Sequence, residues 1–227
     1  FSSFTKAAED KPNIILIMTD DQGYGDFSFT GNPVVKTPNI DRLSQECILL
    51  TDFHAAPMCT PTRGQLMTGI DALYNGATSV SSGFSFVYPE IPMMPEILNE
   101  AGYTSAIFGK WHLGDNYPFR PMDNGFDQAI WHKGGGINST SDYWFNDYYD
   151  DKYWHNDTLK QYQGYCTDVW FCEAMKWMKS CHEQGSPFFA YISTNAPHWP
   201  YFVEGKYREP YDSLNHNLAS YFGMIAN

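Results

Sequence analysis

Apolar segments that end in polar residues alternate with helix-type segments along this chain of 227 residues. The run NIILIM (13–18) is continuously apolar, which predicts a strand buried on both faces. Further strands are predicted at ILLTDFH (48–54), YTSAIFGK (103–110) and FFAYIST (188–194). Helices are predicted at KTPNIDRLSQE, TPTRGQLMTG and MPEILNEAG and over 167–182. In the first of them Thr37 is the expected N-cap residue and Pro38 the first residue of the helix. This alternation predicts an α/β fold with a mostly parallel sheet flanked by helices.

Residues 115–165 differ from the rest of the chain. They contain Gly134-Gly135-Gly136, the sequons at Asn138 and Asn156, and the aromatic stretch DYWFNDYYDDKYW (142–154). We expect a long excursion over the surface. The aromatic stretch could stack sugar rings, but packing of the excursion onto the domain is the favoured interpretation.

Composition and charge exclude several classes of protein. The formal net charge is −12, so nucleic acid is a poor candidate partner, because phosphate binding needs a basic face. An anionic substrate would need a local positive pocket. No apolar run approaches the length of a membrane span, and no signal-type segment follows Phe1.

The chain has five cysteines, so at least one thiol is unpaired. The sequence contains no CxxC pair, and a structural zinc site is therefore not expected. Cys59 stands directly before the helix signal in FHAAPMCTPTRGQLMTG. Three interpretations compete for it: a buried structural thiol, a nucleophile, or a residue that is converted chemically into another group. The cysteines alone do not fix the redox compartment.

Polar residues follow each predicted strand, where ligand sites of open α/β sheets gather. They are Asp20, Asp21, Cys59, Lys110, His112 and His198. Each has an ordinary alternative: a turn-capping Asp pair, an inert thiol, a solvated lysine or hydrogen-bonded histidines. Together those alternatives require four coincidences at one edge of one sheet. We therefore expect an anion site in which a helix N-terminus, Arg63, Lys110 and the histidines supply positive charge. Asp20 and Asp21 are oxygen ligands suited to Ca²⁺ or Mg²⁺.

The motif CTPTRG resembles the C-x-P-x-R signature of formylglycine-dependent sulfatases of the alkaline-phosphatase-like superfamily. The blocks PNIILIMTDDQGYGD, GKWHLG, NGFD and APHWPYF resemble other blocks of that family, in the family's order, over residues 12–202. The resemblance implies that a maturation enzyme reads Cys59, Pro61 and Arg63 and oxidises the cysteine to formylglycine. The hydrated aldehyde then offers one hydroxyl to attack sulfur and a second whose deprotonation releases sulfate.

By the same resemblance, Asp20, Asp21 and the modified Cys59 bind the cation. Arg63 and Lys110 stabilise the sulfate oxygens, His112 acts as the base for sulfate release, and His198 contacts the sulfate or protonates the leaving oxygen. The family's later Asp-Asn or Asp-His pair and its later lysine have no counterpart after Phe202, and Asp123-Asn124 lacks a preceding strand. We therefore expect residues 1–227 to be the N-terminal part of a truncated sulfatase catalytic domain, with the C-terminal part absent.

These observations predict a sulfuric ester hydrolase that acts on a sulfated small molecule or glycan. The alternatives are a phosphate or phosphonate ester hydrolase on the same scaffold, a non-catalytic carbohydrate-binding protein, or an inert fragment. The resemblance implies a periplasmic, secreted or lysosome-like location.

Overall fold

The computed structural model describes residues 11–80 and 85–227, and the statements below concern those residues. Six strands form one sheet: β1 (Ile14–Met18), β2 (Thr104–Lys110), β3 (Gln128–His132), β4 (Lys152–His155), β5 (Thr158–Gln161) and β6 (Phe188–Ser193). Their order is β1-β6-β2-β3-β4-β5. The pairs β1–β6, β6–β2 and β2–β3 are parallel, whereas β4 and β5 join as antiparallel strands. The predicted mostly parallel α/β sheet is confirmed.

The helices are α1 (Pro38–Ser44), α2 (Cys59–Thr68), α3 (Ala72–Asn75), α4 (Met94–Glu100), α5 (Cys166–Glu183), α6 (Gly205–Arg208) and α7 (His216–Ala226), with short 3₁₀ turns at Ser28–Thr30, Pro121–Asn124 and Glu209–Tyr211. Thr37 is the N-cap residue of α1 and Pro38 opens the helix, as predicted, but the Thr37 side chain makes no capping hydrogen bond. Gly102 follows α4 with φ +84°, a conformation that favours glycine.

Alternating residues of the central strands face two separate apolar layers. Phe108, Ile130 and Ile192 pack with Trp170 and Ala174 of α5 on one face of the sheet. Ile107, Trp131 and Tyr191 pack on the other face with Met67 of α2. A strand buried on both faces reads as a continuous apolar run, and β6 is buried along its whole length.

Strand β1 differs from the prediction, because one of its faces is partly buried and the other is exposed. Leu16 and Met18 pack against the layer beside α2, but Ile15 is 51% exposed and Ile17 is 55% exposed. The strand lies at the edge of the sheet, where it has a neighbouring strand on one side.

The strand predicted at residues 48–54 is wrong. The segment forms no strand, and Ile48, Leu50 and Phe53 are 88%, 70% and 72% exposed. A strand needs a neighbour that completes its backbone hydrogen bonds, and no described strand lies beside these residues.

The prediction that residues 115–165 form a long excursion over the surface is wrong for strands β3, β4 and β5, which belong to the sheet. Strand β3 is a buried strand of the sheet, and the β4–β5 hairpin, which turns at Asn156-Asp157, extends the sheet edge. The aromatic stretch divides accordingly. Tyr153 is fully buried, whereas Trp144 and Phe145 are 78% and 91% exposed.

Candidate active site

Helix α2 begins at Cys59 itself, two residues before Pro61. Its first backbone hydrogen bond runs from the Thr62 N–H to the Met58 carbonyl, so the N–H groups of the first turn remain outside helical bonding. The helix ends at Gly69, whose φ is +68°. Cys59 therefore lies at the positive end of a helix whose other end is fixed by a glycine cap.

Arg63 lies one turn further along α2 and is 2% exposed. Its guanidinium forms hydrogen bonds with residues at the ends of two strands. Its Nη1 donates to the Lys110 carbonyl at 3.0 Å, to the Tyr191 hydroxyl at 3.1 Å and to the Ser193 hydroxyl. Its Nη2 lies 3.4 Å from Asp20 Oδ1, and its Nε is buried without a partner. The guanidinium therefore joins α2 to the carboxyl ends of β2 and β6.

Lys110 ends β2 and is fully buried. Its ammonium donates to Asp20 Oδ2 at 2.5 Å. Gly109, with φ +108°, permits this arrangement, because a Cβ there would lie 2.0 Å from the Ser193 carbonyl oxygen on β6. The close approach of the two strands thus brings Lys110 and Ser193 to one place.

Asp20 is 3% exposed and faces both cations. Burial acts to raise the pKa of Asp20, but Lys110 and Arg63 hold it below its usual value. Two buried cations against one buried carboxylate leave one positive charge in excess within this cluster. A buried charge without a counter-ion is costly, so the cluster favours an anionic ligand.

Two cavities meet at Cys59. The larger, of about 390 Å³, is lined by Cys59, His112 and His198 together with the Gly134–Ser141 segment. The smaller, of about 220 Å³, is lined by Cys59, Asp20, Asp21 and Arg63. The structure therefore brings five of the other predicted site residues around Cys59, namely Asp20, Asp21, Arg63, His112 and His198. The exception is Lys110, which lines neither cavity and reaches the site through Asp20.

His112 and Lys110, which are two residues apart in the sequence, do not share a face of an extended segment. His112 has φ +57°, so the chain turns after β2 and aims the two side chains differently. Burial, with the charges of Lys110 and Arg63, lowers the pKa of His112 to about 3. The imidazole is therefore neutral near pH 7, and its buried Nδ1 lacks a partner.

His198 and Asp21 lie on the opposite rim of the site. His198 Nε2 is 3.5 Å from Asp21 Oδ2, and that carboxylate is 63% exposed. The carboxylates of Asp20 and Asp21 both line the smaller of the two cavities. No cluster of three metal-ligating His, Cys, Asp or Glu side chains occurs in residues 11–80 and 85–227. Two carboxylates fit a hard cation as part of its shell, since Ca²⁺ takes about six to eight oxygen ligands.

The sequence did not point to His132, Tyr191, Ser193 or Asn195. Tyr191 and Ser193 are two residues apart on β6, and strand periodicity would have placed both hydroxyls on one face. His132 pairs in register with Lys110, and Asn195 donates to its Nε2 at 2.7 Å. Burial lowers the pKa of His132 to about 4. Asp123, for which the sequence predicts no role in the site, forms an ion pair with Arg120.

The remaining cysteines take no part in the site. In the described part of the chain no cysteine is bonded to another, and Cys166 and Cys181 are buried. No described helix is long and apolar enough to cross a membrane.

The sheet and this site define an α/β protein with a positively charged pocket at the carboxyl ends of its strands. The family model described as Sulfatase matches residues 12–227, so the chain belongs to the sulfatase family. It is 30% identical to N-acetylgalactosamine-6-sulfatase of Rattus norvegicus and 34% identical to that of Canis lupus familiaris, over 97% and 96% of this chain. It covers 48% and 47% of those proteins, so it spans about half their length.

Solved structures agree with this assignment. The crystal structure of Ps i-CgsB superposes with a TM-score of 0.84 and 29% identity, over 95% of this chain and 52% of that one. BT4656, solved in complex with its substrate D-glucosamine-2-N,6-O-disulfate, gives 0.75 and 27%, over 89% of this chain and 38% of that one. A protein of the alkaline phosphatase superfamily from Vibrio parahaemolyticus shares the fold with a TM-score of 0.61 at 21% identity, over 96% and 48% of the two chains.

Proposed function

We propose that this chain is the N-terminal part of a sulfatase catalytic domain that hydrolyses a sulfate ester of a carbohydrate or of an aryl or alkyl alcohol. The observation that carries the proposal is the buried charge excess of Arg63 and Lys110 over Asp20, beside Cys59. A transferred sulfuryl group brings negative charge that this cluster would neutralise.

Cys59 is proposed as the residue that becomes formylglycine, through a maturation enzyme that reads Pro61 and Arg63. A hydrated aldehyde at residue 59 supplies an oxygen nucleophile for sulfur. The N-terminal end of α2 and Arg63, whose Nε is unpartnered, hold negative charge on the sulfate oxygens. Lys110 acts on the same cluster through Asp20.

The two histidines divide the proton transfers. His112 lines the larger cavity with Cys59, and its lowered pKa keeps it neutral, so it can accept the proton whose removal releases sulfate. His198 lines the same cavity and contacts the sulfate or protonates the leaving alcohol oxygen. Removal of such an acid or base typically costs about 10²–10⁴-fold in rate.

Asp20, Asp21 and the modified Cys59 are proposed ligands of Ca²⁺, with Mg²⁺ as the alternative. Such a cation lowers the pKa of a hydroxyl that it binds. The two carboxylates supply hard oxygen donors at one cavity, but they leave most of a Ca²⁺ shell to other ligands. Partners would be a sulfated small molecule or glycan and the maturation enzyme, in a periplasmic, secreted or lysosome-like compartment.

Mass analysis of the peptide that contains Cys59 tests the proposal after co-expression with a formylglycine-generating enzyme. Conversion of the thiol to the aldehyde lowers the mass by about 18 Da. The peptide that contains Cys172, an exposed cysteine outside the motif, serves as the internal control. An unchanged Cys59 peptide from protein that hydrolyses sulfate esters would contradict the formylglycine route.

A further inference from the structure

Two residues in the wall of the larger cavity beside Cys59 each contain a buried polar atom for which the protein supplies no partner. Among the described residues, four buried side-chain nitrogen or oxygen atoms lack a hydrogen bond. Two of the four, His112 Nδ1 and Ser139 Oγ, belong to residues that line this cavity. Buried polar atoms are normally satisfied, so two in one cavity point to a polar ligand.

Ser139 and Asp115 both lie beside Gly134 in the wall of this cavity. Asp115 Oδ1 accepts a hydrogen bond from the Gly134 N–H at 2.9 Å. A Cβ on Gly134 would lie 2.2 Å from Ser139 Oγ, and its φ is +73°, so glycine is required there. A hydroxyl without a partner and a carboxylate with acceptor capacity to spare thus both lie next to Gly134.

The rest of the lining matches a polyhydroxyl ligand. Its other hydroxyl-bearing residues are Thr60, Ser79, Ser85, Thr140 and Ser141. Trp199, which is 67% exposed, adds an aromatic surface at the cavity. Aromatic faces and short hydroxyl groups suit the apolar faces and hydroxyl groups of a sugar ring.

Asp115 gives this cavity its charge preference. It is the one carboxylate among the described residues that line the cavity. A second anionic group on the substrate, next to the sulfate ester, would face this carboxylate, and like charges at close range are strongly unfavourable. A neutral or ammonium substituent would meet an acceptor instead.

Building on the proposed sulfate ester hydrolysis, we propose that Asp115 and Ser139 select sugar sulfates whose substituent next to the cleaved ester is neutral or cationic, and disfavour those that carry a second anion there. Ser139 supplies a hydrogen bond to a sugar hydroxyl, and Asp115 excludes the additional negative charge.

Calorimetric titration of the protein with Cys59 unmodified tests the selection without turnover. The probes are glucosamine 3-O-sulfate and glucosamine 2-N,3-O-disulfate, which differ in charge only at the C2 substituent, next to the 3-O-sulfate ester. We expect the first to bind at least about tenfold more tightly. Asp115→Asn should reduce the ratio to about twofold, since the amide oxygen still accepts from Gly134 but carries no charge. Asp212→Asn, which removes an equal charge near Arg208, should leave the ratio unchanged.

Ser139→Ala should weaken both probes by about fivefold and leave their ratio unchanged. The inference is overturned if the wild type binds the disulfate as well as the monosulfate, if neither probe binds, or if Asp115→Asn leaves the ratio intact. Hydrolysis of 4-nitrophenyl sulfate by the matured protein tests the proposed function separately. If the protein binds the monosulfate selectively but does not hydrolyse 4-nitrophenyl sulfate, the proposed hydrolase function is contradicted and the selection by Asp115 stands. If it hydrolyses 4-nitrophenyl sulfate but Asp115→Asn leaves the ratio of the two affinities unchanged, the function stands and the selection is contradicted.

Discussion

The buried cluster of Arg63, Lys110 and Asp20 permits a quantitative test of charge balance. Lys110→Met removes one cation and approximately keeps the side-chain volume. Asp20→Asn removes the anion and keeps its shape. The wild-type cluster carries one net positive charge, the first variant none and the second two. The double variant returns to one.

Removal of one partner of a buried ion pair costs about 3–5 kcal/mol of stability. Lys110→Met should lie at the lower end, about 3 kcal/mol, because Arg63 still lies 3.4 Å from Asp20. Asp20→Asn should lie at the upper end, about 5 kcal/mol, because two buried cations then face no anion. We expect the double variant to lose about 4 kcal/mol rather than about 8, so the coupling energy is about 4 kcal/mol.

Urea unfolding of the four proteins at pH 7 measures these free energies. Sulfate in the buffer should stabilise the wild type more than Lys110→Met, because the variant no longer carries the excess positive charge. Single effects that add within about 0.5 kcal/mol would refute the reasoning, since independent sites behave in that way.

Three further predictions concern neighbouring residues. His112→Gln should lower kcat/KM for 4-nitrophenyl sulfate by at least about 10²-fold. His54→Gln, at an exposed histidine outside the site, should leave kcat/KM unchanged. Equal kcat/KM values for the two variants would contradict a role of His112 as a base. His132, with its pKa lowered to about 4 from 6.5, contributes stability that is present above pH 6.5 and is lost as pH falls toward 4. This loss of stability is worth about 3 kcal/mol. Between pH 7 and pH 4.5 the Tm of His132→Gln should therefore decrease less than the Tm of the wild type. Equal decreases in the two Tm values would contradict this role of His132. Gly109→Ala should destabilise by at least about 2 kcal/mol in urea unfolding, whereas Gly25→Ala, with open space around it, should not, and equal stabilities would exclude strain at Gly109.

The sequence predicted the sheet where local pattern and tertiary structure agree. The apolar runs at β2 and β6 are central strands with both faces covered, so composition alone identifies them. The run at residues 48–54 also begins with apolar residues, but no strand of the described residues lies beside it. Strand formation depends on neighbours that local composition does not specify.

The sequence predicts the candidate site residues from their positions after strands. Asp20, Lys110 and His198 follow β1, β2 and β6, which are parallel and therefore end at one edge of the sheet. Cys59 is the exception, because no strand forms before it. Orientation could not be predicted in the same way. The turn at His112 separates it from Lys110, and the bonds from Arg63 to Tyr191 and Ser193 depend on strand register. Asp115 and Ser139 are brought together by the fold around Gly134, from positions 24 residues apart that no motif connects.

The most direct test of the proposed function is the initial rate of 4-nitrophenyl sulfate hydrolysis by the protein matured with a formylglycine-generating enzyme, compared with Cys59→Ala prepared identically. We expect the matured protein to hydrolyse the sulfate faster than 4-nitrophenyl phosphate, and Cys59→Ala to lose at least about 10³-fold in kcat. Cys172→Ala, at an exposed cysteine outside the site, should retain the wild-type rate. A Cys59→Ala variant as active as the matured protein, or a preference for the phosphate ester, would contradict sulfate ester hydrolysis at residue 59.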